Sequence, residues 1–405
     1  MHVKNSFLLL FFAAVSIYNG GCDMQSQNNN RISINTGSNE ITGGGCEDCE
    51  LMFAGMPETI TEEHTGRGWV EGSRKLMLTG TVFKRDGRTP AKDVLIYYWH
   101  TDDNGVYIPD QNTPAEAERH GRLRGWIKTD ETGRYTIRTS RPAAYPGESV
   151  PQHIHLSVKE PELKDPYYID LYFDDDPFYI PHRKKYGRAD RGGTEILRVV
   201  LDGNIQIAEH NIILGLNIPD YPKLPEDKIK SGLEIGEDQP SFIPYHAYGP
   251  NKGTRACPVC TYGRHHGILL FAGNKTDRNE IKAWLKFLEK ESIERGEHLK
   301  VYFVFGNSEN YDFSSRKKDL EELGEELGIK KTAITFVPSF DDTESEAYLN
   351  KINPDAENTI IIYKHRVIVD KYVNLSPVKE NFELIREVLE KTRGEYFELP
   401  TPPHD

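Results

Sequence analysis

The chain has 405 residues, with 63 acidic against 50 basic side chains and a formal net charge of −13. That balance supplies no basic surface for a phosphate backbone, so nucleic acid is excluded as an expected partner. The length leaves room for two domains.

Residues 1–21 carry Lys4 and then an apolar run from Phe7 to Ile17, too short to span a bilayer and suited to the core of a signal peptide. Gly20 and Gly21 stand directly before Cys22, which resembles a bacterial lipoprotein cleavage site. The resemblance implies a lipidated Cys22 and an exported protein anchored to a membrane of the cell envelope. Residues 22–65 read as a polar tether, because the Ser, Asn, Gln and Gly of 23–45 cannot bury enough surface to offset ordering entropy.

The other cysteines fall into Cys46-Glu-Asp-Cys49 and Cys257-Pro-Val-Cys260. Two such pairs admit local disulfides, a redox couple or a four-thiolate zinc site, and an exported location favours disulfides.

A first domain is expected over 66–222. Short alternating or apolar strands run through Lys75 to Phe83, Val94 to Trp99, Arg134 to Thr139, His153 to Val158 and Tyr168 to Phe173, separated by Asp-Gly and Asn-Gly turns. Glu195 to Gly203 and Ile205 to Leu216 supply closing strands. No helical period competes, so the fold expected is an antiparallel β-sandwich.

One stretch of this domain carries candidate chemistry. His153-Ile-His155 alternates, so both imidazoles leave one face of a strand and can act as a metal-ligand pair. Tyr145 lies eight positions earlier on a loop fixed by Pro142, Pro146 and Pro151, and can fold back over that face. Together with the strand-turn-strand from Gly121 to Pro142, and with Leu78 to Val82 and Val94 to Tyr107 upstream, the pattern resembles the intradiol ring-cleavage dioxygenases.

That resemblance covers roughly residues 66 to 220 and implies one ferric ion, Fe(3+), held by Tyr107, Tyr145, His153 and His155. It further implies a catecholic substrate opened between its hydroxyls by O2, with Tyr145 leaving the metal to take a substrate proton. Phenolate oxygen suits a hard, highly charged ion. The family usually places an arginine three residues before the first histidine, where this chain has Val150. Arg124 is the expected substitute, with Arg122 and Arg141 as alternatives.

A second domain, expected over 223–395 with a tail at 396–405, alternates strand and helix. Ile235 to Phe242 resembles the opening of thioredoxin-like domains. Strands are expected at His266 to Phe271, Leu299 to Phe305, Ala333 to Pro338, Thr359 to Tyr363 and Arg366 to Val373, and helices at 277–295, 315–327 and 381–391. The position that carries a reactive cysteine in that family reads Ala272 to Arg278 and contains none. A degenerate metal- or aromatic-binding lipoprotein, or a thiol oxidoreductase acting through the second domain, are the alternatives to a dioxygenase.

Overall fold

The computed structural model describes residues 42–44, 48–222 and 229–402. The expected signal segment, the lipidation candidate Cys22 and Cys46 lie outside the described residues. Among those described, no helix is long and apolar enough to cross a membrane.

The N-terminal half is built from β1 (Glu63–Thr65), α1 (Gly68–Glu71), β2 (Lys75–Phe83), β3 (Leu95–Trp99), β4 (Arg124–Lys128), β5 (Arg134–Ser140), β6 (His153–Lys159) and β7 (Tyr167–Phe173). It continues with α2 (Tyr179–Tyr186), β8 (Ile196–Leu197), β9 (Val199–Asp202), β10 (Ile205–Glu209) and β11 (Ile212–Ile213). One sheet has the order β1-β5-β2-β10-β9, with β11 also on β2, and the other β4-β3-β6-β7-β8.

The expectation of a purely antiparallel sandwich is corrected here. β1 runs parallel to β5, β10 and β11 run parallel to β2, and β8 runs parallel to β7. Parallel neighbours need a long crossover, and α2 lies within the one that joins β7 to β8. The two expected closing strands are accordingly broken into four short pieces. The tether also stops before residue 65: a 3-10 turn at Cys49–Phe53 buries Cys49, Leu51 and Met52. Met52 packs on Tyr97 and Trp99, so apolar side chains draw this stretch onto the body.

Alternation decides what each face of the second sheet presents. Ile96 and Tyr98 of β3, Ile154, Leu156 and Val158 of β6, and Ile169, Leu171 and Phe173 of β7 point between the sheets, against Leu76, Leu78 and Val82 of β2. Their neighbours therefore point away: Tyr97 and Trp99, His153, His155 and Ser157, and Tyr168, Asp170 and Tyr172. The outer face of this sheet is a polar and aromatic layer, and it carries the site.

The C-terminal half comprises β12 (Tyr245–Tyr248), α3 (Pro258–Tyr262), β13 (His266–Ala272), α4 (Arg278–Arg295), β14 (Leu299–Phe305), α5 (Phe313–Leu327), β15 (Ala333–Phe336), β16 (Thr359–Lys364), β17 (Val367–Val373) and α6 (Lys379–Arg393). Its mixed sheet has the order β12-β15-β14-β13-β16-β17. Every residue of β13 is buried, as its unbroken apolar run predicts for a central strand covered on both faces. Ile268 and Leu270 pack with Trp284, Leu285 and Ile385, and Leu269 and Phe271 pack with Val304 and Phe340. Asp277 caps α4 by accepting from the N–H groups of Asn279 and Glu280.

Both halves fall within one compact unit, Glu40–Asp405. Arg88 pairs with Asp370 and donates to the Lys371 carbonyl at 2.9 Å, and Lys364 pairs with Glu209 at 3.1 Å. Near the C-terminus, the Pro400 carbonyl accepts from Leu201 N–H at 2.8 Å. A cavity of about 840 Å³ lies between the halves, lined by Thr79, Thr136, Lys364 and Lys391 among others.

Candidate metal centre

Register places the strand-borne parts of the site. Trp99 of β3 lies opposite His155 of β6, which lies opposite Asp170 of β7, while His153 faces Tyr172. Residues paired in this way have touching side chains on one face. The Trp99 indole stacks on His155 with centroids 4.9 Å apart, fixing the ring from behind.

The two tyrosines arrive on loops that are tied to each other. Thr101 donates its hydroxyl to the Ala143 carbonyl at 2.7 Å, and Ala143 N–H donates to the Asp102 carbonyl at 3.2 Å. Gly105 has φ +78°, and a Cβ there would lie 2.0 Å from the Ala144 carbonyl oxygen. Only glycine allows that approach, which holds Tyr107 beside Tyr145.

The structure brings the four expected ligands together. Tyr107 Oη is 3.0 Å from Tyr145 Oη, Tyr145 Oη is 3.2 Å from His153 Nε2, His153 Nε2 is 3.0 Å from His155 Nε2, and His155 Nε2 is 3.1 Å from Tyr107 Oη. The four atoms close a ring. Nitrogens about 2.1 Å from a shared ion, at angles near 90°, lie about 3.0 Å apart.

The hydrogen bonds behind the ring test whether it fits an ion. His153 Nδ1 is 2.7 Å from the Pro151 carbonyl, and His155 Nδ1 is 2.6 Å from Asp170 Oδ1 and 2.8 Å from Tyr168 Oη. A carbonyl and a carboxylate only accept, so each Nδ1 carries the proton and each Nε2 is left with a lone pair. Two lone pairs thus face each other at 3.0 Å. The Tyr145 and Tyr107 hydroxyls can donate to them, at 3.2 and 3.1 Å, and a cation that replaced those protons would be met by two phenolate oxygens and two imidazole nitrogens, so the donor set fits a metal. Among the described residues no group of three or more His, Cys, Asp or Glu side chains converges, so the two phenols are needed to complete it.

Burial shapes the charges of the site's own groups. It lowers the His153 pKa to about 4, with His155 adding to the shift. Burial raises the Tyr107 phenol, and Tyr145 beside it raises it further. Tyr145 is also raised by burial, an effect partly offset by its bond to Tyr107. Burial pushes Asp170 upward, but His155 outweighs it and holds the carboxyl below the usual carboxylate range. The neutral His153 imidazole is ready to donate, and the phenols require a cation to ionise.

The expectation for Arg124 is corrected. It shares the cross-strand row with His155, but Trp99 stands between them in register. Its guanidinium donates to Tyr97 Oη at 3.1 Å and to the Ala54 carbonyl at 2.5 Å. Arg141 is buried and bound through both terminal nitrogens to Asp175, and Arg122 pairs with Glu71. None of the three is aimed at the four donors. Cys257 and Cys260 are joined by a disulfide at the start of α3, and Cys49 is also disulfide-bonded, which leaves no four-thiolate zinc site from these pairs.

Sequence reasoning missed Asp170, Tyr168 and Trp99. A signal was present in Tyr168-Ile-Asp170-Leu-Tyr172, where polar positions alternate with apolar ones as in His153-Ile-His155.

Residues 54–189, which include all four donors, match the family model Dioxygenase. The chain is 33% identical over 95 residues to catechol 1,2-dioxygenase of Acinetobacter baylyi, covering 24% of this chain and 30% of that enzyme. It is 28% identical over 130 residues to the protocatechuate 3,4-dioxygenase beta chain of Burkholderia cepacia, covering 30% of this chain and 54% of that one. The chain therefore spans about half or less of the length of these relatives. A solved dioxygenase domain of a dioxygenase carbohydrate-binding protein fusion from Streptomyces sp. SirexAA-E is 25% identical, covers 39% of this chain and 94% of its own, and has a TM-score of 0.29. The family model and the curated relatives support the intradiol ring-cleavage dioxygenase family for this part of the chain.

Proposed function

We propose that the protein is an intradiol dioxygenase that binds one ferric ion and opens a catecholic ring between its hydroxyls with O2. The observation that carries this reading is the closed ring of two phenol oxygens and two imidazole lone pairs. When bound, a ferric ion would supply Lewis acidity toward the diol and the electronic link to dioxygen.

The chain's residues have divided tasks. Tyr107, His153 and His155 hold the ion, and Asp170 fixes His155 through its Nδ1–H. Trp99 keeps water from the back of the site. Tyr145 lies on the Pro-Gly loop, where Gly147 has open space around it. It can swing outward, and its phenolate oxygen then accepts a proton from an incoming catechol hydroxyl.

Purified protein loaded with iron should be reddish, because ferric-bound tyrosinate absorbs visible light, and should consume O2 with catechol to give a ring-opened diacid. Zinc as the bound ion, or no O2 uptake from the iron-loaded protein, would overturn the reading. A binding protein that keeps the ion without turnover is favoured by one observation, that Arg122, Arg124 and Arg141 are all engaged elsewhere. Oxygen uptake separates the two.

In the same reading, 1–21 is a signal peptide and lipidated Cys22 anchors the chain to a bacterial membrane. Cys22→Ala should release it to the soluble fraction, and a processed variant that stays with membranes would refute the anchor. The half after residue 222 is read as thioredoxin-like in element order and without catalytic thiols.

A further inference from the structure

The aromatic layer of the second sheet does not stop at the four donors. Beyond His153 the Tyr172 ring lies 5.7 Å away, His182 of α2 lies 5.3 Å past Tyr172, and Tyr186 lies 4.8 Å past His182. These rings form a continuous edge leading outward from one corner of the donor ring.

α2 is an odd helix for a purely structural role. Its one buried residue is Tyr179, while Tyr186 is 65% exposed and Ile180 49%. At the opposite corner, Val106 and Ile108 flank Tyr107 and are also exposed. Apolar surface therefore brackets the donors on two sides, although such surface is favourable only when something covers it. α2 further carries Arg183, Lys184 and Lys185 in succession, with Lys185 over the Tyr186 ring at 4.7 Å. None of the three has a carboxylate partner among the described residues. On a chain of net charge −13, this is a local field that attracts anions to the mouth of the site.

We propose that α2 selects the substrate: a catechol extended by a second aromatic ring that bears an anionic group. Its diol ring lies at the four donors and its second ring against the edge formed by Tyr172, His182 and Tyr186. The anionic group lies among Arg183, Lys184 and Lys185. Ring-on-ring contact gives preference for the extended molecule, and the cations give preference for the acid. This proposal rests on the dioxygenase reading for the reaction, but not for the binding.

The test compares kcat/KM for catechol, 4-phenylcatechol and 4-(4-carboxyphenyl)catechol in the iron-loaded protein. Alongside it, calorimetric titration measures the affinity for 4-biphenylcarboxylate, which has no diol. Tyr186 is exposed, so Tyr186→Ala should fold. It should reduce the ratio of 4-phenylcatechol to catechol about three- to tenfold. Replacing Arg183, Lys184 and Lys185 together with Gln should lower the ratio of the carboxyphenyl to the phenyl substrate several-fold and flatten its salt dependence. Both changes should weaken 4-biphenylcarboxylate binding.

If catechol is opened but neither ratio nor affinity responds, the α2 proposal is overturned and the dioxygenase reading stands. Variant-sensitive binding of 4-biphenylcarboxylate without turnover of any catechol upholds the α2 site and sinks the dioxygenase reading. Neither binding nor turnover removes both.

Discussion

Glu289 in the C-terminal half and the His153–His155 pair in the N-terminal half are polar groups withdrawn from water, and the protein treats them in opposite ways. Glu289, on α4 and only 8% exposed, accepts backbone N–H groups of Lys330, Lys331 and Thr332 at 2.7, 3.0 and 2.8 Å. Its lone pairs are answered by the chain itself, and it fastens the approach to β15 to the helix. The two histidines have their Nδ1 protons answered, while their Nε2 lone pairs converge with two phenol oxygens on one point. A closed set of partners marks a structural carboxylate, and an open set that converges marks a place prepared for a ligand.

The contrast can be broken most severely at the open end. His155→Ala removes the imidazole that Trp99 and Asp170 hold in place, and should abolish stoichiometric iron binding and the visible band. Metal analysis beside an absorption spectrum checks this, and a variant that retains one iron per chain would refute the ligand assignment. Next in size is Tyr145→Phe. It should keep most of the iron and lose roughly 10²- to 10⁴-fold in turnover, the range of a positioned proton acceptor. Oxygen-electrode rates at matched iron content decide it.

Two smaller effects sharpen the comparison. Asp170→Asn leaves an acceptor at His155 Nδ1 but removes its charge, and should weaken iron binding about 10- to 100-fold in a chelator competition. Glu289→Ala strips three backbone N–H groups of their acceptor at once. It should cost about 2–4 kcal/mol in urea unfolding while leaving iron content unchanged. If Glu289→Ala emptied the metal site, the two kinds of polar cluster would not be separable.

How much of this was legible in the sequence follows from how local each feature is. Tyr145, His153 and His155 lie within eleven consecutive residues, and strand alternation alone put both imidazoles on one face. The helices from Arg278, Phe313 and Lys379 announced themselves by their period, with Asp277 at its capping position. Asp170 and Trp99 were invisible as partners because register between strands is a non-local property. Arg124 was misjudged for the same reason: the row it shares with His155 is real, but an indole fills the space between them. The parallel pairing of β10 and β11 with β2, and the anchoring of Met52 under Tyr97 and Trp99, likewise depend on where distant segments return.

The bonds between the halves also set the order in which the molecule can be assembled. Arg88 and Asp370 are 282 positions apart, and Leu201 bonds to Pro400 almost at the end of the chain. Contacts of such long sequence separation form late and slowly, since the intervening loop must close first. On the ribosome the N-terminal half emerges early, with the sheet face that carries Thr79 and Thr136 still waiting for its cover. That uncovered sheet is the surface on which a nascent chain would associate with its neighbours until the C-terminal half folds against it.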